Sequence, residues 1–291
     1  MENEREFNVV KSHDTKDLRY FLEKYGIHLK KSLGQNFLVD GNIIRKEAEL
    51  AKITPDETVL EIGPGVGFLT RELLLRAKKI IAIEFDRTLA EILEKEFESE
   101  CKEGRLEIIC ADALDIDFPE FDKCVSNIPY EISSKIILKL GKYRKPAVLI
   151  IQKEFAQRLI ARPGGGDYSK ISVMSQYYFH TELLHIVSKK SFFPAPKVDS
   201  AIVRLTPRGD RFKKSLGVAD EEIFIKAIHA LFQHKNMAVR NALIHSRAEF
   251  GFDKETAKKI AQNISMKSAK VRTLDLAMIA EVAWEISKQK I

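Results

Sequence analysis

The sequence predicts an α/β protein, a doubly wound, mostly parallel sheet followed by a small all-helical module. Three observations carry that expectation. Short apolar runs alternate with helix-period segments between residues 41 and 151. Four polar side chains, Glu61, Glu84, Asp112 and Asn127, close four of those runs, at the strand ends where such sheets bind ligands. From Thr206 onward the apolar residues follow helical spacing alone.

The elements follow in chain order. Leu18, Phe21, Leu22 and Tyr25 have the spacing of a short helix over 17–25. Residues 30–38, Lys-Lys-Ser-Leu-Gly-Gln-Asn-Phe-Leu, form a basic loop with two adjacent amides and an apolar anchor, suited to closing over a ligand. A helix is expected over 41–51 and a strand over 58–62. A glycine loop, Gly63-Pro64-Gly65-Val66-Gly67, leads into a helix over 68–76. A second strand (80–83) ends at Glu84-Phe85-Asp86, and a helix runs from 87 to about 100. The third strand (106–110) ends at Asp112-Ala113, the fourth at Asn127, and the fifth covers 147–151. Helices over 155–161 and 169–179 come next, separated by a Pro-Gly-Gly-Gly break. Strands over 183–188 and 201–205 bracket Phe192-Phe193-Pro194-Ala195-Pro196-Lys197-Val198-Asp199-Ser200. The helical module contains a basic stretch over 221–243 and a last helix over 275–287. A kink is expected near residues 234–236, where Lys235 falls on the apolar line.

Composition narrows the class. With 291 residues, 45% hydrophobic and 31% charged, the chain is an ordinary globular protein. No apolar run approaches the ~20 residues of a membrane span, and the polar residues 1–6 do not read as a secretory signal. Three cysteines are odd in number and lack metal-ligand spacing, so no metal site is expected and a cytoplasmic, reducing setting is. Residues 206–291 hold 16 Lys and Arg against 10 Asp and Glu, whereas residues 1–205 hold 32 of each. A basic module on a neutral one suggests an anionic macromolecular partner.

The glycine loop discriminates among nucleotide ligands. Its spacing is G-x-G-x-G, and Pro64 removes a backbone N–H that a pyrophosphate would use. A ligand with an amino-acid tail, a ribose and an adenine but no phosphate fits better, and S-adenosylmethionine has that description. Glu84 then suits the ribose hydroxyls and Asp112 the adenine amino group. Glu61, beside the loop, suits the cationic ammonium or sulfonium. No nucleophile–base pair is evident, and methyl transfer from a sulfonium to an amine needs none. At the end of the fourth strand, Asn127-Ile128-Pro129-Tyr130 supplies acceptors for an exocyclic amino group, from the Asn127 amide and the Pro129 or an adjacent carbonyl. It also supplies a ring for stacking. Phe192 or Phe193, in a segment stiffened by Pro194 and Pro196, is expected to cover the opposite face of the base. In the basic stretch, Lys226, His229, Gln233 and Arg240 share a polar face suited to a phosphate backbone.

Taken together, these residues resemble the ribosomal RNA adenine N6-dimethyltransferase family, from about Leu29 to Leu243. The carriers are the Gln-Asn-Phe-Leu loop, the Glu-Ile-Gly-Pro-Gly loop, Glu84 with Asp86, Asp112-Ala113, the Asn-Ile-Pro-Tyr box and the Pro-Ala-Pro-Lys-Val-Asp-Ser segment. The resemblance implies a Rossmann-like methyltransferase sheet over 29–206, an extension over 1–28 and a basic RNA- or subunit-binding domain over 207–291. It implies that Gln35, Asn36, Leu38, Glu61, Gly63, Gly65, Glu84, Asp112, Ala113 and Asn127 surround S-adenosylmethionine. Asn127, Pro129, Tyr130 and Phe192 would hold the target adenine. Lys226, Gln233, Lys235 and Arg240 would meet RNA, Lys235 standing where many members carry Arg. The family's main branch dimethylates two adjacent adenosines near the 3′ end of small-subunit rRNA during subunit assembly, so the implied partner is that rRNA in a pre-ribosomal particle. The chain is expected to act as a monomer, and its flavour is similar to archaeal members. The related large-subunit methylase that confers macrolide resistance is the nearest alternative, disfavoured by the C-terminal pattern.

Overall fold

The computed structural model describes residues 15–27, 36–218 and 220–289. Nine strands are described: β1 (Phe37–Leu38), β2 (Thr58–Ile62), β3 (Lys79–Glu84), β4 (Leu106–Cys110), β5 (Lys123–Asn127), β6 (Ala147–Gln152), β7 (Phe179–Val187), β8 (Phe192–Phe193) and β9 (Ser200–Pro207). Seven of them form one sheet in the order β4-β3-β2-β5-β6-β9-β7. The pairs among β2 to β6 are parallel. The chain leaves β2 toward β3 and β4, then returns to the other side of β2 with β5. That reversal makes a crevice at the carboxyl ends of β2 and β5.

The crevice is held open by a side chain. The β2–β5 ladder registers Val59 with Lys123 and Leu60 with Cys124. Beyond that pair the Ser126 hydroxyl both accepts from the Ile62 N–H (3.2 Å) and donates to the Ile62 carbonyl (2.5 Å). A hydroxyl thus satisfies backbone groups that a closed ladder would pair directly. The strands β2, β3, β5 and β6 are almost wholly buried, and β3 and β6 are nearly continuous apolar runs, as a sheet covered on both faces requires.

Two-residue strands carry no readable period, and the antiparallel ribbon of β1 with β8 was not foreseen. It pairs Phe37 with Phe193 and Leu38 with Phe192. The Ser191 hydroxyl anchors it by donating to the Asp40 carboxylate (2.9 Å), and Asp40 also caps the helix Gly41–Leu50. The helix expected over 87–100 is two, Arg87–Glu96 and Glu98–Lys102. Phe97 leaves helical geometry between them while its ring is buried under the Arg71 guanidinium, 4.7 Å from the ring centroid. The strand expected from 183 begins at Phe179, directly after the helix Lys170–Tyr178. The break near Lys235 is present, between the helices Glu221–Phe232 and Val239–His245.

Two compact units divide the chain. One comprises residues 1–139, 145–153 and 183–204, the other residues 140–144, 154–182 and 205–291. In the first, the helix Thr15–Tyr25 buries Leu18 and Phe21, while Lys24 (2.5 Å) and the Tyr25 hydroxyl both donate to Glu96. In the second, the helices Glu221–Phe232 and Leu276–Ser287 pack together, and the Tyr168 hydroxyl donates to the Leu274 carbonyl (2.7 Å). Among the described residues no helix is long and apolar enough to cross a membrane, and no cluster of metal-ligating side chains occurs.

One buried group runs against the packing. Glu47 is fully buried, and among the described residues neither carboxylate oxygen has a hydrogen-bond partner. Burial, with the nearby Glu61, pushes its carboxyl well above the ordinary range, so it is held neutral. Replacing Glu47 by Met should therefore stabilise the protein by about 1–3 kcal/mol, the usual penalty of an unpaired buried polar group. Urea unfolding checks this. A midpoint that falls at constant m-value would mean that the carboxyl contributes a favourable contact.

Candidate active site

A cavity of about 340 Å³ fills the crevice. Its first wall is the glycine loop. Gly65 has φ +61°, and a Cβ there would lie 3.0 Å from the Phe37 ring of the ribbon. Gly67 has φ +80°, and a Cβ there would lie 2.6 Å from the Phe97 ring. Side chains at either position would therefore strain the backbone or push on a neighbouring ring.

Glu84 ends β3 at the second wall. One carboxylate oxygen accepts from the Gly65 N–H (3.1 Å) and the other from the Asp86 N–H (2.9 Å). The acid thus ties the glycine loop to β3 and still has lone pairs for ligand hydroxyls. Burial pushes its carboxyl above the ordinary value, those amides oppose the shift, and Asp86 adds to it. Asp86 itself caps the next helix by accepting from the Thr88 N–H (3.0 Å). Glu61 is 1% exposed and accepts from the Thr70 hydroxyl (2.7 Å). Burial raises it to about 8, with Thr70 opposing and the Glu84 charge adding. A cation brought beside Glu61 would draw that value down, so the site is primed to ionise against a positive ligand.

Asp112 and Ala113 follow β4 at the third wall, and Asn127 to Tyr130 follow β5 at the fourth. Among the described residues no hydrogen bond engages the half-buried Asn127 side chain. The Tyr130 hydroxyl meets the Ser200 hydroxyl at 2.7 Å, which fixes the ring. The Pro129 carbonyl is already engaged, accepting from the Ile132 N–H (3.2 Å) and the Ser133 hydroxyl (3.2 Å).

Of the expected site residues, Asn36, Leu38, Glu61, Gly63, Gly65, Glu84, Asp112, Ala113, Asn127, Pro129 and Tyr130 all line this one cavity. Gln35 lies outside the described residues. Phe192 is not in the lining and is 3% exposed, and Phe193 beside it is half-buried with Arg19 over its ring at 5.9 Å. Sequence reasoning missed Phe85. It is 62% exposed at the rim next to Glu84, where an exposed aromatic suits a purine ring. The signal was present, a large aromatic between two acids at a strand end. A cavity with paired acids at one end, an aromatic rim and an amide unengaged among the described residues fits a nucleoside bearing a cationic tail.

In the second unit, Lys235 and Arg240 are exposed. Gln233 is exposed but donates to Glu249 (2.8 Å), and Lys226 is half-buried, 5.9 Å from the Phe250 ring centroid. Residues 235–240 pair through backbone hydrogen bonds with residues 267–272, as in Arg272 N–H to the Lys235 carbonyl (2.9 Å) and Arg240 N–H to the Lys267 carbonyl (3.0 Å). That pairing brings exposed Lys267 and Lys270 beside Lys235 and Arg240, which linear spacing does not reveal.

Known proteins resemble the chain over nearly its whole length. The family model for ribosomal RNA adenine dimethylase matches residues 26–282. A relative from Methanopyrus kandleri, "Probable ribosomal RNA small subunit methyltransferase A", is 42% identical over 270 residues, covering 91% of this chain and 95% of its own. Among solved structures, a dimethyladenosine transferase from Plasmodium falciparum is similar with TM-score 0.71 and 31% identity, over 86% of this chain and 97% of that one. The 23S rRNA methyltransferase ErmE is similar with TM-score 0.59 and 27% identity, over 87% of this chain and 100% of that one.

Proposed function

Because the chain belongs to the ribosomal RNA adenine dimethylase family, we propose that its crevice brings a target adenine against Asn127 and Tyr130 and methylates the N6 amino group twice. The protein is an S-adenosylmethionine-dependent adenine dimethyltransferase of small-subunit rRNA. The two adjacent adenosines near the 3′ end of that rRNA, in a pre-ribosomal particle, are the proposed substrates. A monomer acting in the cytoplasm is the proposed working form. Residues 29–206 are assigned the transfer and residues 207–291 the hold on RNA.

The observation that carries this assignment is the Asn127 amide at the strand switch, unengaged among the described residues, in the same cavity as Glu61, Glu84 and Asp112. When bound, S-adenosylmethionine supplies a methyl group already activated by its sulfonium. The residues of the chain do the rest. Glu84, Asp112 and Phe85 take the nucleoside part, and Glu61 balances the positive end. An adenine amino group is a poor nucleophile because its lone pair is delocalised into the ring. The Asn127 Oδ1 accepts one of its hydrogens. With the Pro129 carbonyl occupied by two donors, the adjacent Ile128 carbonyl is the better second acceptor. Two acceptors out of the ring plane draw the nitrogen toward a tetrahedral shape and free the lone pair. Tyr130, fixed by Ser200, stacks on the base and holds the line of attack. Phe192, buried within the ribbon, would need to be uncovered to take the opposite face.

Incubation with labelled S-adenosylmethionine and small subunits lacking the modification tests the assignment. Dimethyladenosine at two neighbouring positions near the rRNA 3′ end is expected. Label confined to large-subunit rRNA, or none on either subunit, would overturn it.

RNA affinity should rest partly on Lys235 and Arg240. Replacing both by Ala should lower the slope of log affinity against log salt by about 1.4–1.8, at roughly 0.7–0.9 per lost phosphate contact. An unchanged slope in a filter-binding titration would remove these two residues from the interface.

A further inference from the structure

Lys139 has no part in the chemistry above, and its surroundings are unusual. It lies on the helix Ser133–Tyr143, which begins directly after the Asn127–Tyr130 box. Its ammonium donates to the carbonyls of Ala113 (2.8 Å), Leu114 (3.3 Å) and Ile116. It also stands 4.3 Å from the centroid of the Phe118 ring, which is itself buried. An ammonium has three N–H donors and no acceptor, so converging carbonyls are well matched to it. Without a cation at that point the carbonyls would repel one another and turn toward water.

The loop so gathered is the one that follows β4 and carries Asp112 and Ala113 into the cavity. Its near end is closed by Asp112 itself. One carboxylate oxygen accepts from the Leu114 N–H (2.8 Å), and the Asp112 carbonyl accepts from the N–H groups of Asp115 (3.0 Å) and Ile116 (3.3 Å). Those bonds form a turn, and Lys139 collects the carbonyls of Ala113, Leu114 and Ile116 from it. The aspartate that faces a ligand and the lysine that holds its loop are thus two ends of one small network.

We propose that Lys139 is a positioning residue for the methyl donor, holding residues 112–116 in the conformation that receives the adenine of S-adenosylmethionine. The inference rests on the cofactor assignment for this cavity. It also ties the donor's adenine end to the helix that follows the target box, so both subsites share one rigid support.

The test uses the full-length protein, titrated by calorimetry with S-adenosylmethionine and with 5′-methylthioadenosine, which keeps the nucleoside but lacks the amino-acid tail. Failure of the unaltered protein to bind either would count against the cofactor assignment rather than against Lys139. In Lys139→Met both affinities should fall together by about tenfold, the scale set by losing preorganisation. The kcat at saturating donor should stay within about twofold, because no group touching the reacting atoms has changed. Unchanged affinities in a folded Lys139→Met protein would overturn the proposal. So would a loss confined to S-adenosylmethionine, or a fall in kcat at constant affinity. If Lys139→Met does not fold, Lys139→Arg decides. It keeps the charge, but its planar head cannot make the same three contacts, and a loss of about threefold for both ligands is expected. Unchanged affinities in that variant would equally reject the role.

Discussion

Replacing Asn127 by Ala is expected to lower methyl transfer by about 100-fold or more, the scale seen when one preorganised polar contact to a reacting group is lost. S-adenosylmethionine affinity should fall by less than about fivefold, because the other walls of the cavity are untouched. The asymmetry follows from the position of the side chain. Asn127 ends β5, and among the described residues its amide is not engaged within the protein. Alanine therefore removes an acceptor for the substrate without leaving a buried partner unsatisfied, and the fold should not suffer. Single-turnover assays on small subunits, with donor binding measured in parallel, separate the two effects. Wild-type turnover in the variant would dismiss the amino-group role. A donor affinity that drops as far as the rate would make Asn127 a cofactor residue alone.

A second large effect is expected at the opposite wall. Glu84→Gln should weaken S-adenosylmethionine by about 10–100-fold, at 1.5–3 kcal/mol for each hydrogen bond to a charged group. Both carboxylate oxygens accept from backbone amides, one from the glycine loop and one from Asp86. A glutamine offers one acceptor oxygen and must turn an NH2 toward one of those amides. The substitution thus loosens the Gly65 loop as well as removing an acceptor for the ribose. The adenine end should be less affected than the ribose, so S-adenosylmethionine and adenosine should lose affinity to the same degree while free adenine changes little. Equal binding of S-adenosylmethionine to wild type and variant would mean that the acid serves only to fasten the loop. Loss of thermal stability without loss of affinity would point the same way.

The two substitutions probe opposite banks of one crevice, and each bank was visible in the chain for its own reason. Strand-end acids announce themselves because a parallel strand buried on both faces has no other place for a charge. Glu84 stands out against the buried run of β3 for that reason, whereas Asp112 follows the half-exposed edge strand β4, which carries Glu107 within it, and is marked by its place just past a strand end. The Asn-Ile-Pro-Tyr box stands out by composition, and the structure brings it to the same cavity as the acids. Phe85 was overlooked because an aromatic after a strand reads as core, despite its place between two acids, and its exposure at the cavity rim is set by the tertiary structure. The Pro129 carbonyl was one of two candidate acceptors from sequence. Its commitment to Ile132 and Ser133 depends on how the following helix starts, which no residue spacing states.

The order of apolar runs, the glycine loop and the residue types at strand ends determined the parallel sheet and the cofactor class, and the family resemblance of the motifs added to them gave eleven of the cavity's lining residues. Those features are local, because burial period and backbone chemistry act over a few residues. Tertiary structure alone decided what depends on separations of tens of residues. Ser126 bridging to Ile62 opens the crevice, and the β1–β8 ribbon buries Phe192. The paired stretches at 235–240 and 267–272 gather the basic side chains, and Lys139 gathers three carbonyls from a loop more than 20 residues earlier. Each is a hydrogen bond or contact between distant segments. Its partners are interchangeable in the linear chain and become unique only once the sheet order has set which segments meet.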